Sequence, residues 1–443
     1  MKKLDRFQQN DLIGDVSCCC TCNFFGCSDE SAVAGVIGAS LKKTQSLILI
    51  LFIVLFGCRS DNQAAIDMLD ANQDQNRIDL QITDIADISY IPLKYGAENI
   101  VVGTTSVTRN IFVSHDKIFL GDVFYQSPKL ISYDFNGEPI HVFGSYGRGP
   151  GEYVNISGFI VDMPTDEVII YDALQSKFVV FGTTGIFKRE KFLEGGVKTN
   201  YSAIENINER YMLAYKEDSK VIGNEDIFSA NGQLFMSKNN PVTWGKLFTL
   251  YDKQTLSEVD FLDFEYERPS RFQIYTILNN LTTTRDGVYV TSARTDTIYF
   301  MNRELELMPR FVDVTRYRDV NHEARLFPSA ESEKYIFFST ALENNFDNQN
   351  LRRFFAYDKK SKKLLRINTG MPEQGVVNTW ESLINNEVVF GNPTLTRNHN
   401  YAATLLPPLF LLEHFDSLPA ELKDMTTQIR EDDNPVLMLM KLR

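Results

Sequence analysis

From residue 88 onward the chain is written in short apolar runs of four to six residues, each stopped by a turn signal. Runs of that length, rich in β-branched and aromatic residues, predict strands. Ile88–Leu93 (ISYIPL) is the first. Asn110–Ser114 (NIFVS) and Lys117–Leu120 (KIFL) flank a turn at His115-Asp116, and Leu130–Asp134 (LISYD) and Pro139–Phe143 (PIHVF) flank Asn136-Gly137. A second set follows: Gly158–Asp162, Glu167–Asp172, Phe178–Phe181 and Ile186–Phe192. Laying Ile118–Leu120 on Ile169–Tyr171, and Ile131–Tyr133 on Val179–Phe181, gives an offset of roughly 50 residues.

A repeat of that length built from short strands predicts units that bury their faces by stacking around an axis, a β-propeller. Weaker copies continue at Arg210–Tyr215, Leu247–Asp252, Val288–Thr291, Thr297–Met301, Leu305–Phe311, Tyr335–Ser339, Arg353–Asp358 and Leu364–Ile367, and Glu387–Phe390 opens a last unit. Near the end the period changes. Leu418, Leu422, Met425 and Ile429 recur at helical spacing, so one amphipathic helix is expected over Ser417–Glu431, before a return to strand at Val436–Met440. The last unit then lacks an outer strand, and Ile88–Leu93 is the unpaired strand that closes the ring. The expected architecture is all-β: a six-bladed propeller of four-stranded antiparallel blades, with one short helix in the last blade.

The first two units meet at Phe143–Tyr153 (FGSYGRGPGEY). The G-x-G-x-x-G fingerprint fails there, because residue 152 is Glu, and no Gly-Lys-Ser/Thr follows. Its glycines and proline therefore let the chain cross from one blade to the next, with Arg148, Glu152 and Tyr153 as candidate ligand contacts at the ring's mouth. The unit from Gly147 to Phe192 (GRGPGEY, GFIVD, EVIIYD, KFVVF) is similar to an NHL repeat. The body from about residue 84, with the closing DNPVLMLMKLR, resembles six-bladed propeller lipoproteins of unassigned function. The resemblance implies an exported, lipid-anchored ring, and it implies neither an enzyme nor a pure binding module.

The N-terminal region fits such an address. Lys42-Lys43 precede the ten apolar residues Leu47–Phe56, and Gly57-Cys58 close the run. This resembles a bacterial lipoprotein signal with Cys58 as the lipidated residue. Ten residues are too few to cross a bilayer, which takes about 20. Residues 1–57 are read as extension and signal, 58–83 as a flexible polar tether and 84–443 as the propeller. Because such signals begin at the basic pair, two starts stay open at this point, Met1 and Leu41. Five cysteines fall at Cys18, Cys19, Cys20, Cys22 and Cys27, in no zinc-finger spacing, and none follows Cys58.

The chain of 443 residues has a formal charge of −13, which argues against nucleic acid, whose phosphates are bound by Lys and Arg. The five histidines (His115, His141, His322, His399 and His414) are scattered, and neither an H-E-x-x-H pair nor a G-x-S-x-G elbow occurs. Asp122, Asp134, Asp162, Asp172, Asp252 and Asp358 close strands at turn starts, where carboxylates bond to backbone N–H groups. The insertion Lys216–Lys246, with Trp244, reads as surface. No catalytic residue, metal site or cofactor is therefore assigned. The expected function is a monomeric binding platform for a protein, peptide or glycan, touching a membrane, expected to be the outer one, only through its lipid and facing periplasm or cell surface. The alternative is a hydrolase or lyase acting on a sugar or lactone at the tunnel mouth.

Overall fold

The computed structural model describes residues 66–72, 76–96, 102, 111–122, 128–194, 201, 203–215, 227–230, 233–236, 248–262, 281–291, 296–315, 324–342, 353–369, 379–388 and 400–443. Blade 1 is the antiparallel meander Ile111–Val113, Ile118–Asp122, Lys129–Tyr133 and Pro139–Phe143. Blade 2 repeats it with Gly158–Asp162, Glu167–Asp172, Lys177–Phe181 and Phe187–Phe192. Blade 3 runs Ala203–Asn206, Tyr211–Tyr215, Phe248–Asp252, Ser257–Leu262, and blade 4 Leu281–Thr283, Gly287–Val290, Thr297–Asn302, Leu307–Asp313. Blade 5 is Ala324–Glu331, Tyr335–Leu342, Phe354–Asp358 and Lys363–Ile367. The sixth sheet joins Tyr401–Leu406, Val436–Leu442 and Ala86–Pro92. The ring is a six-bladed propeller.

The apolar runs are continuous because each strand has a blade on both sides. Along Glu167–Asp172, Val168 and Ile170 enter the cluster shared with blade 1, and Ile169 and Tyr171 the cluster shared with blade 3. Period two thus alternates between two buried interfaces instead of between core and water. Ring closure follows the same logic. Val436 pairs with Pro92 and Met440 with Ile88 in antiparallel register, and Ile91, Leu437 and Leu439 pack against Ile111 and Ile131 of blade 1.

The stretch expected as a tether contains structure. Asp67–Leu69 adds in parallel to the outer strand of blade 4, with Met68 opposite Val312, and Arg77–Ile78 adds in parallel to that of blade 5. A single helical turn, Ile82–Ile85, then leads into the outer strand of blade 6. This strap buries Leu69 and Ala71 between blades 4 and 5, and Leu80, Ile82 and Ile85 between blades 5 and 6. Polar composition concealed it, because only alternate residues face inward.

Two further expectations need correction. The single C-terminal helix is two helices, Pro408–Glu413 and Ala420–Thr426, parted by a 3-10 turn at Phe415–Ser417. Leu418 and Pro419 are extended, and the second helix starts only after Pro419. Glu387 makes an isolated antiparallel bridge to Gln81 instead of opening a strand, and residues 389–390 lie outside the described residues. Among the described residues no helix is long and apolar enough to cross a membrane.

Candidate functional site

In a four-stranded meander, the turn between the second and third strands shares one edge with the crossing to the next blade. The other two turns share the opposite edge. The ring therefore has a crossing face and a turn face, and they differ. On the turn face the links are short and self-capped. Asp134 accepts the N–H groups of Asn136 (2.9 Å) and Glu138 (2.8 Å), Asp252 that of Thr255 (3.0 Å), and Asp358 those of Lys360 (2.9 Å) and Ser361 (2.8 Å). Although burial opposes it at Asp134 and Asp252, these bonds hold all three carboxyls below the usual range, and at Asp358 the Ser361 N–H contributes most. These three strand-ending aspartates are turn caps.

Long connections gather on the crossing face. Blade 3 links its second and third strands through residues 216–247, where Ile227–Ala230 pairs with Gln233–Met236. Blade 6 uses residues 407–435, with the two helices. Rigid scaffolds place variable, contact-making loops in this way.

The seam Phe143–Tyr153 lies on the crossing face. Ser145–Tyr146 pairs in parallel with Glu152–Tyr153, so the loop folds back on itself. Gly144 sits at φ +69°, and a Cβ there would come within 2.6 Å of the Gly151 carbonyl oxygen, so glycine is required. The three candidate contacts separate. Tyr153, expected at the mouth, is fully buried between blades 1 and 2; its hydroxyl donates to the Phe143 carbonyl (2.6 Å) and accepts the Leu130 N–H (3.3 Å). Burial drives its pKa far above the ordinary phenol range. Glu152 turns back into the loop and accepts the Gly149 N–H (2.6 Å). Only Arg148 is exposed, and it has no partner among the described residues.

Two neighbours of Arg148 were missed. Tyr146 is 56% exposed and Leu174, in the adjoining turn of blade 2, is 69% exposed. The Gln175 side chain donates to the Gly147 carbonyl (3.2 Å) and to Asp172 (2.8 Å), which also accepts the Val154 N–H (2.8 Å), so turn and seam are bolted together. The sequence signal was Leu174 itself, an apolar residue inside a turn. Together they offer a phenol, an aliphatic side chain and a guanidinium to solvent.

Several other titratable groups have structural partners. Burial pushes the Asp313 carboxyl up to about 6, yet its oxygens accept the N–H groups of Thr315 (3.0 Å) and Leu326 (2.8 Å). Asp162 is paired with Lys253 in the wall between blades 2 and 3. His115 is exposed, and the His414 ring meets the Phe410 carbonyl (2.9 Å). Among the described residues no group of three His, Cys, Asp or Glu could hold a metal. Cys58, Trp244, His322 and His399 lie outside the described residues, as does the side chain of Asp122.

A family model described as "Domain of unknown function (DUF4934)" matches residues 64–441. No protein of curated function matches the chain. Among solved structures, a protein of Bacteroides fragilis described as a "Putative exported protein" is similar at a TM-score of 0.54 and 15% identity, over 83% of this chain and 98% of that one. A member of the DUF4221 family from Bacteroides vulgatus is similar at a TM-score of 0.42 and 12% identity, over 81% of this chain and 97% of that one.

Proposed function

The chain belongs to the DUF4934 family, and from that premise we propose an exported ring, held to a membrane by lipid on Cys58, that binds a protein, peptide or glycan on its crossing face. The observation that carries this reading is the asymmetry of the two faces: capped turns on one, long connections and the exposed Tyr146, Arg148 and Leu174 on the other. The carboxylates nearest to a catalytic set act as turn caps or interblade ties instead.

Export rests on Lys42-Lys43, the apolar run and Gly57-Cys58, on a family match that begins six residues after Cys58, and on the description carried by the Bacteroides fragilis structure. Two or three acyl chains hold a protein at a membrane where one does not. The glycine pattern of the seam and the second blade supports kinship with NHL repeats.

The test starts from a soluble version beginning at Arg59, which keeps Asp67–Leu69, screened on glycan arrays, while the full chain is crosslinked in cells. The double variant R148E/L174D, altered at two exposed positions, should change stability by no more than about 0.5 kcal/mol. It should lower recovery of the captured partner about tenfold. Unchanged recovery would move binding away from this face, and turnover of a sugar or lactone would replace the platform with an enzyme.

A further inference from the structure

Blades 4 and 5 carry an added strand on their outer edges, and the bonding is the same on both. Val314 donates its N–H to the Leu69 carbonyl (2.9 Å), and Asn368 donates to the Ile78 carbonyl (2.9 Å), with Arg366 to Asn76 (2.7 Å) one step earlier. Each outer strand thus turns alternate N–H groups outward at its crossing-face end.

Blade 2 presents this edge bare. Its Leu193 N–H turns inward to the Ser176 carbonyl (2.7 Å), as the Asp313 N–H does to Asp296 (2.8 Å) on blade 4. Alternation therefore sends the N–H groups of Phe192 and Glu194 outward, where Val312 and Val314 stand on blade 4. No strand covers them among the described residues. Phe192 is 57% exposed, with the Lys177 ammonium 5.4 Å from its ring centroid.

Charge separates blade 2 from the other bare edges. On blade 4 the covered strand brings a cation to the strap, Arg310 lying 3.9 Å from Asp67, which also lies 3.7 Å from Lys362 in a turn of blade 5 and accepts the Tyr357 hydroxyl (2.5 Å); on blade 5 the strap residue Arg77 stands opposite Arg366. The outer strands of blades 1, 3 and 6, uncovered among the described residues, read PIHVF, SEVDFL and ADISYIP, without Lys or Arg. Blade 2 reads FKREKF. Arg189 and Lys188 are engaged by Glu167 (2.5 and 3.6 Å), but Lys191 reaches only the neutral oxygens of Thr255 (3.2 Å) and Ser257 (2.6 Å). In a chain of net charge −13, an uncompensated cation beside a bare edge selects for an acidic visitor.

We propose that the outer edge of blade 2 docks an extended, acidic and apolar segment of a partner protein, added parallel to Phe187–Phe192 as the chain's own strap is added to blades 4 and 5. Main-chain bonds to Phe192 and Glu194 supply affinity, and the exposed Phe192 ring and Lys191 set register and charge preference. This surface lies on the rim, at the crossing-face end of blade 2, and does not depend on the lipid.

The probe is a synthetic peptide copying residues 66–72 (IDMLDAN), titrated against the full chain with amide hydrogen exchange and fluorescence anisotropy as readouts. Exchange at Phe192 and Glu194 should slow at least about tenfold. F192P removes an outward N–H without breaking an inward ladder bond, and it should weaken binding about tenfold or more. K191E, a surface change that leaves the backbone intact, should weaken binding in the same direction. No protection at these two amides up to about 1 mM peptide, protection at Val314 or Asn368 instead, or binding unaffected by both variants overturns the proposal.

Discussion

A chain shortened to begin at Ala86 is expected to lose its cooperative fold near room temperature, whereas one beginning at Arg59 keeps it. The shorter chain retains the closing strand Ala86–Pro92, so the ring can still be joined; what it loses is the strap. Leu69, Leu80, Ile82 and Ile85 are buried at 1%, 8%, 0% and 4% exposure. Burying each such side chain is worth about 1.5–3 kcal/mol, or about 6–12 kcal/mol together. Typical domains have only about 5–15 kcal/mol in total. Removing the strap also opens the edges of blades 4 and 5 and leaves Tyr357 without Asp67. Thermal unfolding followed by near-ultraviolet circular dichroism reads the outcome. As a graded companion, Ile82→Ala in the longer chain should cost about 2–5 kcal/mol, because Ile82 has no room to be replaced by solvent. A shortened chain melting within a few degrees of the longer one would show that the strap merely lies on the ring.

What the sequence made legible follows from where side chains go. Second and third strands such as Glu167–Asp172 and Phe248–Asp252 are buried on both faces, so they read as unbroken apolar runs and were located within a residue or two. Ring closure was legible because Ile88–Leu93 and Val436–Met440 each lacked a partner, and the two do pair. The innermost strands of blades 3 and 4 were missed, and their chemistry explains why. They read AIEN and LTT, and they join one another and blade 5 through polar side chains. Thr283 donates to Glu205 (2.8 Å) and Thr282 to the Pro328 carbonyl (2.8 Å). A strand that holds its neighbours by hydroxyl and carboxylate has no hydrophobic period to read. The strap was missed for another reason: strands of three and two residues exist only because an edge is there to receive them. At the candidate site Arg148 is exposed, whereas Tyr153, expected beside it at the mouth, is buried. An aromatic after a glycine loop reads equally well as a contact or as a plug, and only the neighbouring blade decides.

Breaking the ion pair between Lys253 and Asp162 should be costly, and removing both charges should not. Lys253 belongs to the turn face of blade 3, yet its ammonium is 3% exposed and reaches Asp162 of blade 2 at 2.5 Å and Asn206 at 3.0 Å. Asp162 is 2% exposed and also accepts the Thr165 hydroxyl (2.6 Å). Burial holds the Lys253 ammonium below the ordinary lysine range despite its partner, so desolvation is large here. Lys253→Met keeps most of the packing but strands a buried carboxylate, at a cost of about 3–5 kcal/mol. Asp162→Asn combined with Lys253→Met leaves no buried charge and retains an acceptor for Thr165. That double variant should recover to within about 1–2 kcal/mol of the wild-type chain. Denaturant unfolding of the two single variants and the double variant completes the cycle. If the double variant were as unstable as Lys253→Met, the stranded carboxylate would not be the source of the cost. In that case the loss would lie with the other bond of the ammonium, to Asn206 (3.0 Å), which both variants remove.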